Sequence, residues 1–152
     1  MPARMRHEDQ SEPRQAQHSS AVRVLAVDDH QAFREALEDL VAAAPDFVLV
    51  GQACSGEDAV RDVERLSPQL VVMDVAMPGI GGIAAARTIL RRFSEVVILL
   101  ISVDDPTHHL GLEDHSERIA CLEKQALSAN ELSFVWGTLS SGRRADPLCG
   151  PA

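Results

Sequence analysis

Aromatic residues, positive charge, long apolar runs and patterned cysteines are all scarce in this chain, and each shortage excludes something. Aromatics make up 3% of the 152 residues, so any core must be built from Val, Leu, Ile and Ala. Lys and Arg number 14 against 23 Asp and Glu, a formal net charge of −9. A nucleic-acid surface needs clustered Lys and Arg, so direct DNA binding is not expected. The longest apolar stretch, Val96 to Ile101, is far short of the roughly 20 residues that span a bilayer. The N-terminus has no apolar core of a secretory leader, so no membrane partner is expected and the location reads as cytoplasmic. The cysteines, Cys54, Cys121 and Cys149, lack the paired spacing of a disulfide framework or zinc site and fit a reducing compartment.

Apolar residues form 45% of the chain, enough for a core, and they alternate between two periods. Residues 1–20 are polar, carry no apolar periodicity and read as a disordered extension. Residues 21–140 form one domain, and 141–152 read as a flexible tail. Within the domain, continuous apolar runs at Val22 to Val27, Phe47 to Ala53, Gln69 to Met73, Val96 to Ile101 and Ile119 to Leu122 read as strands buried on both faces. Between them lie helical patterns: Gln31 to Ala44, a Ser55-capped helix reaching about Leu66, and a helix entered through Gly81-Gly82. A Ser128-capped helix carries Leu132, Val135, Trp136 and Leu139. Residues 105–115 are the weakest helical pattern, because Gly111 interrupts them. Strand–helix alternation of this kind predicts an α/β fold, a five-stranded parallel doubly wound sheet with right-handed crossovers.

The run Val71-Val72-Met73-Asp74 ends in a carboxylate, and Met77-Pro78-Gly79 turns the backbone just beyond it. Asp74 therefore marks the carboxyl end of a buried parallel strand, the edge at which open α/β sheets bind ligands. The same edge collects Asp28-Asp29 after the first strand, Ser102 after the fourth and Lys124 after the fifth. Phosphoryl transfer to a carboxylate requires an accessible oxygen at a fixed position and a divalent cation to offset charge. It also uses a cationic point charge and a hydroxyl on the phosphoryl oxygens. Mg²⁺ takes oxygen ligands and keeps several waters, so a few carboxylates suffice to hold it. Asp28 and Asp29 could also cap the first helix, and the expectation is that one caps and one binds metal.

These residues carry a resemblance. Val27-Asp28-Asp29-His30, Val72-Met73-Asp74-Val75-Ala76-Met77-Pro78-Gly79, Leu100-Ile101-Ser102 and Cys121-Leu122-Glu123-Lys124 together resemble the response regulator receiver domain. This is the CheY-like, flavodoxin-like (βα)5 phosphoacceptor module of two-component signalling, and the opening motif is most similar to NarL-type receivers. The resemblance covers about residues 22–140. It implies that Asp74 accepts a phosphoryl group from a sensor histidine kinase. It also implies that Asp28, Asp29, Asp74 and the Ala76 backbone carbonyl hold Mg²⁺, that Lys124 pairs with the phosphoryl group, and that Ser102 swings to bond it. Switching of the face built by the fourth helix, fifth strand and fifth helix, for a downstream effector or a homodimer, is implied as well. Departures are Cys121 where the family usually has Tyr or Phe, Gln125 where Pro often follows the lysine, and Ala76 without a side chain to position hydrolytic water. No helix-turn-helix output region follows Ser140, so the expectation is a stand-alone receiver, a switch rather than a metabolic enzyme.

Two other functions compete. A receiver-shaped interaction module that no longer cycles phosphate would explain Cys121 and the ragged fourth helix. An aspartate-nucleophile phosphatase of the haloacid dehalogenase type also starts from a strand-end Asp, but it needs an acid two positions on, where Ala76 stands. His108, His109 and His115 lack metal-ligand spacing and read as solvated. Cys121 reads as a small hydrophobe and Trp136 as core.

Overall fold

The computed structural model describes residues 20–104 and 117–141. Five aliphatic runs become strands: β1 (Val22–Val27), β2 (Phe47–Ala53), β3 (Leu70–Asp74), β4 (Val97–Ser102) and β5 (Ile119–Glu123). The helices are α1 (Gln31–Ala42), α2 (Gly56–Leu66), α3 (Gly81–Arg92) and α4 (Ala129–Ser140), with a 3₁₀ turn at Lys124–Ala126. The helical pattern at 105–115 lies outside the described residues, as do both terminal segments.

All strand pairs are parallel, in the order β2-β1-β3-β4-β5. Period-2 alternation sends successive residues of each strand to opposite faces, and both faces are covered. On one, Val24, Ala26, Leu70, Val72, Leu99 and Ile101 pack under Leu37 and Val41 of α1 and Leu132, Val135 and Leu139 of α4. On the other, Leu25, Val27, Val71, Met73, Ile98 and Leu100 pack under Ala59 and Val63 of α2 and Ala85, Ala86 and Ile89 of α3. Every residue of β3 and β4 is buried; the edge strand β5 is half-buried throughout.

Local chemistry sets the ends of the helices. Ser55 accepts the Asp58 N–H and Ser128 accepts the Glu131 N–H, so both serines cap as their sequence positions indicate. At α1 the expectation fails. His30 is the N-cap and makes no side-chain cap bond. Asp28 Oδ1 instead accepts the His30 N–H at 2.8 Å, before the helix starts. Neither carboxylate of the pair is the helix cap, because the tight turn out of β1 directs them to the sheet edge.

Trp136 is half-buried at the margin of the core that α1 and α4 cover. Cys121 packs partly buried against the opposite core, and burial pushes its thiol up to about 12. It stays protonated at neutral pH, the behaviour of a packing residue rather than a reactive thiolate.

Candidate functional site

The strand order reverses between β1 and β3, which pair directly, with Val27 opposite Met73. The residues that follow these two, Asp28 and Asp74, therefore emerge side by side at the topological switch point, the crevice where α/β folds bind ligands. Asp74 lies opposite Ile101 of β4, and Ser102 opposite Glu123 of β5. Lys124 follows as the first residue of the 3₁₀ turn.

Contacts fix most of these groups. Lys124 Nζ lies 2.7 Å from Asp28 Oδ2 and 3.4 Å from Asp74 Oδ2, with the Phe33 ring centroid at 4.3 Å. A cation over an aromatic face gains electrostatically, so the ring holds the ammonium between the carboxylates. Asp74 Oδ1 accepts the Ala76 N–H at 3.2 Å. The Arg34 guanidinium donates to the Asp28 carbonyl at 2.7 Å, tying the turn after β1 to α1. Ser102 Oγ accepts the Asp104 N–H at 3.2 Å, so the hydroxyl is held by its own loop.

Asp74 is only 3% exposed and Asp28 0%. The sequence reading calls for an accessible nucleophile; the structure instead closes it, because the Ala76 amide and Lys124 occupy its two oxygens. Burial, and secondarily the Asp28 charge, raise the Asp74 carboxyl above its ordinary value, against the pull of the Ala76 amide and Lys124. For Lys124, burial favours the neutral amine. The Asp28 hydrogen bond and charge, then those of Asp74, outweigh it and leave the ammonium above its ordinary value.

Two glycines allow this arrangement. A Cβ on Gly82 would lie 2.1 Å from the Asp74 carbonyl oxygen, and the Gly82 N–H donates to Val75 O at 3.0 Å, so α3 starts directly on the acceptor's backbone. Gly79 has φ +84°, and a Cβ there would lie 2.7 Å from Glu57 Oε2. That Glu57 oxygen also accepts the Ile80 N–H at 3.3 Å, so α2 braces the turn beyond Asp74.

Asp28, Asp29, His30 and Asp74 each offer one ligand atom, and those atoms lie within 4.8 Å of one another. Asp29 Oδ1 is buried and accepts no hydrogen bond. Lys124 offsets one of three carboxylate charges, and a divalent cation fits the remaining deficit. The oxygen donors suit a hard ion such as Mg²⁺. Asp28, Asp29, Asp74 and Lys124 are thus brought together as the sequence suggests, with Ser102 on the neighbouring strand end. Ala76 follows at two residues from Asp74. Four residues escaped the sequence reading: His30, Phe33, Arg34 and Glu57. His30 stands inside the motif Val27-Asp28-Asp29-His30, and the spacing from Asp28 to one helical turn into α1 is the signal that could have found Phe33 and Arg34.

Fold and site together define a CheY-like doubly wound α/β domain with an acidic pocket at its switch point. The chain belongs to the response regulator receiver domain family, whose model matches residues 24–126. It is 36% identical over 84 residues to the transcriptional regulatory protein DegU of Brevibacillus brevis, covering 55% of this chain and 36% of that protein. To the response regulator GacA of Pseudomonas viridiflava it is 40% identical over 87 residues, covering 56% and 41% respectively. The chain thus spans well under half the length of these curated relatives. A LuxR-family two-component response regulator from Aurantimonas sp. superposes with a TM-score of 0.70 at 27% identity, covering 85% of this chain and 91% of that one. Receiver domains of this family bind Mg²⁺ at such an acidic pocket and work with histidine kinases and effectors. No helix among the described residues is long and apolar enough to cross a membrane.

Proposed function

We propose that this receiver takes a phosphoryl group on Asp74 from a sensor histidine kinase and acts as a cytoplasmic signalling switch rather than a metabolic enzyme. One observation carries the reading: a strand-end carboxylate held between an ammonium and two further carboxylates at the switch point of the sheet.

An Asp74 carboxylate oxygen attacks the donor's phosphorus, the bond from phosphorus to the donor's leaving nitrogen breaks, and an acyl phosphate remains. Asp28, Asp29, Asp74 and the Ala76 carbonyl would hold Mg²⁺, which supplies positive charge between nucleophile and phosphoryl oxygens. Lys124, bound more closely to Asp28 than to Asp74, exchanges its longer contact for a phosphoryl oxygen. Ser102 leaves the Asp104 amide to donate its hydroxyl to another. That movement biases a two-state element, which is read on the surface that β5 and α4 build. Phe134 on α4 is 59% exposed and supplies apolar contact there for a downstream effector or a second copy. Ala76 offers no general acid, which disfavours the dehalogenase-type phosphatase.

Incubation with acetyl phosphate and Mg²⁺ followed by intact-mass measurement tests this function. One added phosphoryl group is expected, absent with chelator and absent in Asp74→Asn. A folded chain that gains no phosphoryl group would instead be a phosphate-independent interaction module.

A further inference from the structure

His30 stands between the two acidic residues of the opening motif and solvent, and its side chain has no part in the helix it begins. Its backbone is extended, with φ −99° and ψ 118°, and it makes no cap bond. The N–H bond to Asp28 Oδ1 fixes the backbone, and the ring then lies with Nδ1 3.1 Å from Asp28 Oδ1 and 3.2 Å from Asp29 Oδ1. Neighbouring ligands at right angles around one small divalent ion, with bonds of about 2.1 Å, are about 3 Å apart. The imidazole nitrogen thus has the spacing of an adjacent ligand to both carboxylate oxygens, on the side of the pocket away from Lys124, which holds the Oδ2 atoms of Asp28 and Asp74. Asp29 Oδ1, buried and without a hydrogen bond, faces this same nitrogen.

We propose that His30 Nδ1 is a direct ligand of the divalent ion and biases this receiver's acidic pocket toward nitrogen-tolerant first-row ions such as Mn²⁺ over Mg²⁺. The inference rests on the metal-assisted reading of the site. Mg²⁺ prefers oxygen and gives up water reluctantly, whereas imidazole raises affinity for transition ions. Ligation needs the tautomer with its proton on Nε2. The His30 side chain is 68% exposed, so water serves that nitrogen and the proton exchanges through solvent.

The test uses the full chain without a phosphodonor. Titration calorimetry gives Mg²⁺ and Mn²⁺ affinities, and electron spin echo envelope modulation of the Mn²⁺ complex reads any directly bound ¹⁴N. Mn²⁺ should bind about tenfold or more tightly than Mg²⁺ and show nitrogen coupling. His30→Gln should abolish the coupling and reduce Mn²⁺ affinity about tenfold, with Mg²⁺ affinity nearly unchanged. Mn²⁺ binding without nitrogen coupling, or coupling that survives His30→Gln, overturns the His30 assignment alone. Failure of both ions to bind overturns it together with the metal-assisted reading. Absence of nitrogen coupling in the unmodified Mn²⁺ complex overturns the assignment even if the variant fails to fold.

Discussion

Asp74 and Lys124 both hold their protons more tightly beside the same buried Asp28, and this gives the site a measurable signature. The Asp74 carboxyl is raised above its usual 3.8. The folded state therefore binds that proton more tightly than the unfolded chain, and stability falls as pH rises from about 3.8 through the raised value. At neutral pH without metal, an ionised Asp74 opposes folding, so Asp74→Asn should raise the melting temperature there. The gain should fade toward acid pH and shrink when Mg²⁺ is added to the unmodified chain; a lower melting temperature for the variant at pH 7 would contradict the electrostatics. Lys124 follows the same sign in a far more alkaline window. Its raised value contributes stability that is fully present below about 10.5 and is lost as pH climbs through the folded value. Lys124→Met leaves fully buried Asp28 without its cation and should cost about 3 kcal/mol in denaturant unfolding. These acidic and basic groups were readable in the sequence because each directly ends an apolar strand run. His30, Phe33, Arg34 and Glu57 were not, because their roles arise only when α1 folds back over the sheet edge and α2 reaches the turn after β3.

At the level of elements, the acceptor loop depends on how closely α3 approaches β3. Gly82→Ala would push a methyl group against the Asp74 carbonyl oxygen, 2.1 Å away, and the Val75 Cα, 2.9 Å away. Backbone cannot yield as a flexible side chain can. We expect a loss of about 1–3 kcal/mol in thermal or denaturant melts and slower labelling by acetyl phosphate, since the shift falls on Asp74 itself. Normal stability with normal labelling would show that the close approach is dispensable. The strands match their apolar runs to within a residue or so, because continuous aliphatic runs and their polar stops are strong local signals. The Ser55 and Ser128 caps were equally plain. The 3₁₀ turn at Lys124–Ala126 was not, since it places Lys124 by tertiary contact rather than propensity. Asp28-Asp29 resembled a capping pair in sequence; the turn out of β1 gave that position to His30.

Across the whole molecule, burial falls from the centre of the sheet to one edge. Strands β3 and β4 are wholly buried and β5 is half-buried along its length. Amide hydrogen exchange should follow this gradient, slowest in β3 and β4 and faster in β5 and the Lys124–Ala126 turn. Phosphorylation should change exchange in that turn and in the loop after Ser102. Lys124→Ala should still accept the phosphoryl group while losing the response in the turn; an unaltered response would remove Lys124 from the coupling. The doubly wound architecture was legible from strand–helix alternation alone. The strand order that sets β1 beside β3, and so Asp28 beside Asp74, depends on pairings between residues distant in sequence.

The central claim is that Asp74 forms the acyl phosphate, and chemical mapping tests it most directly. The chain, labelled with acetyl phosphate and Mg²⁺, is reduced with borohydride, which converts an aspartyl phosphate to homoserine, and its peptides are sequenced by mass spectrometry. The account predicts homoserine at position 74 and at neither 28 nor 29. Homoserine at Asp28 or Asp29 with Asp74 intact would contradict it.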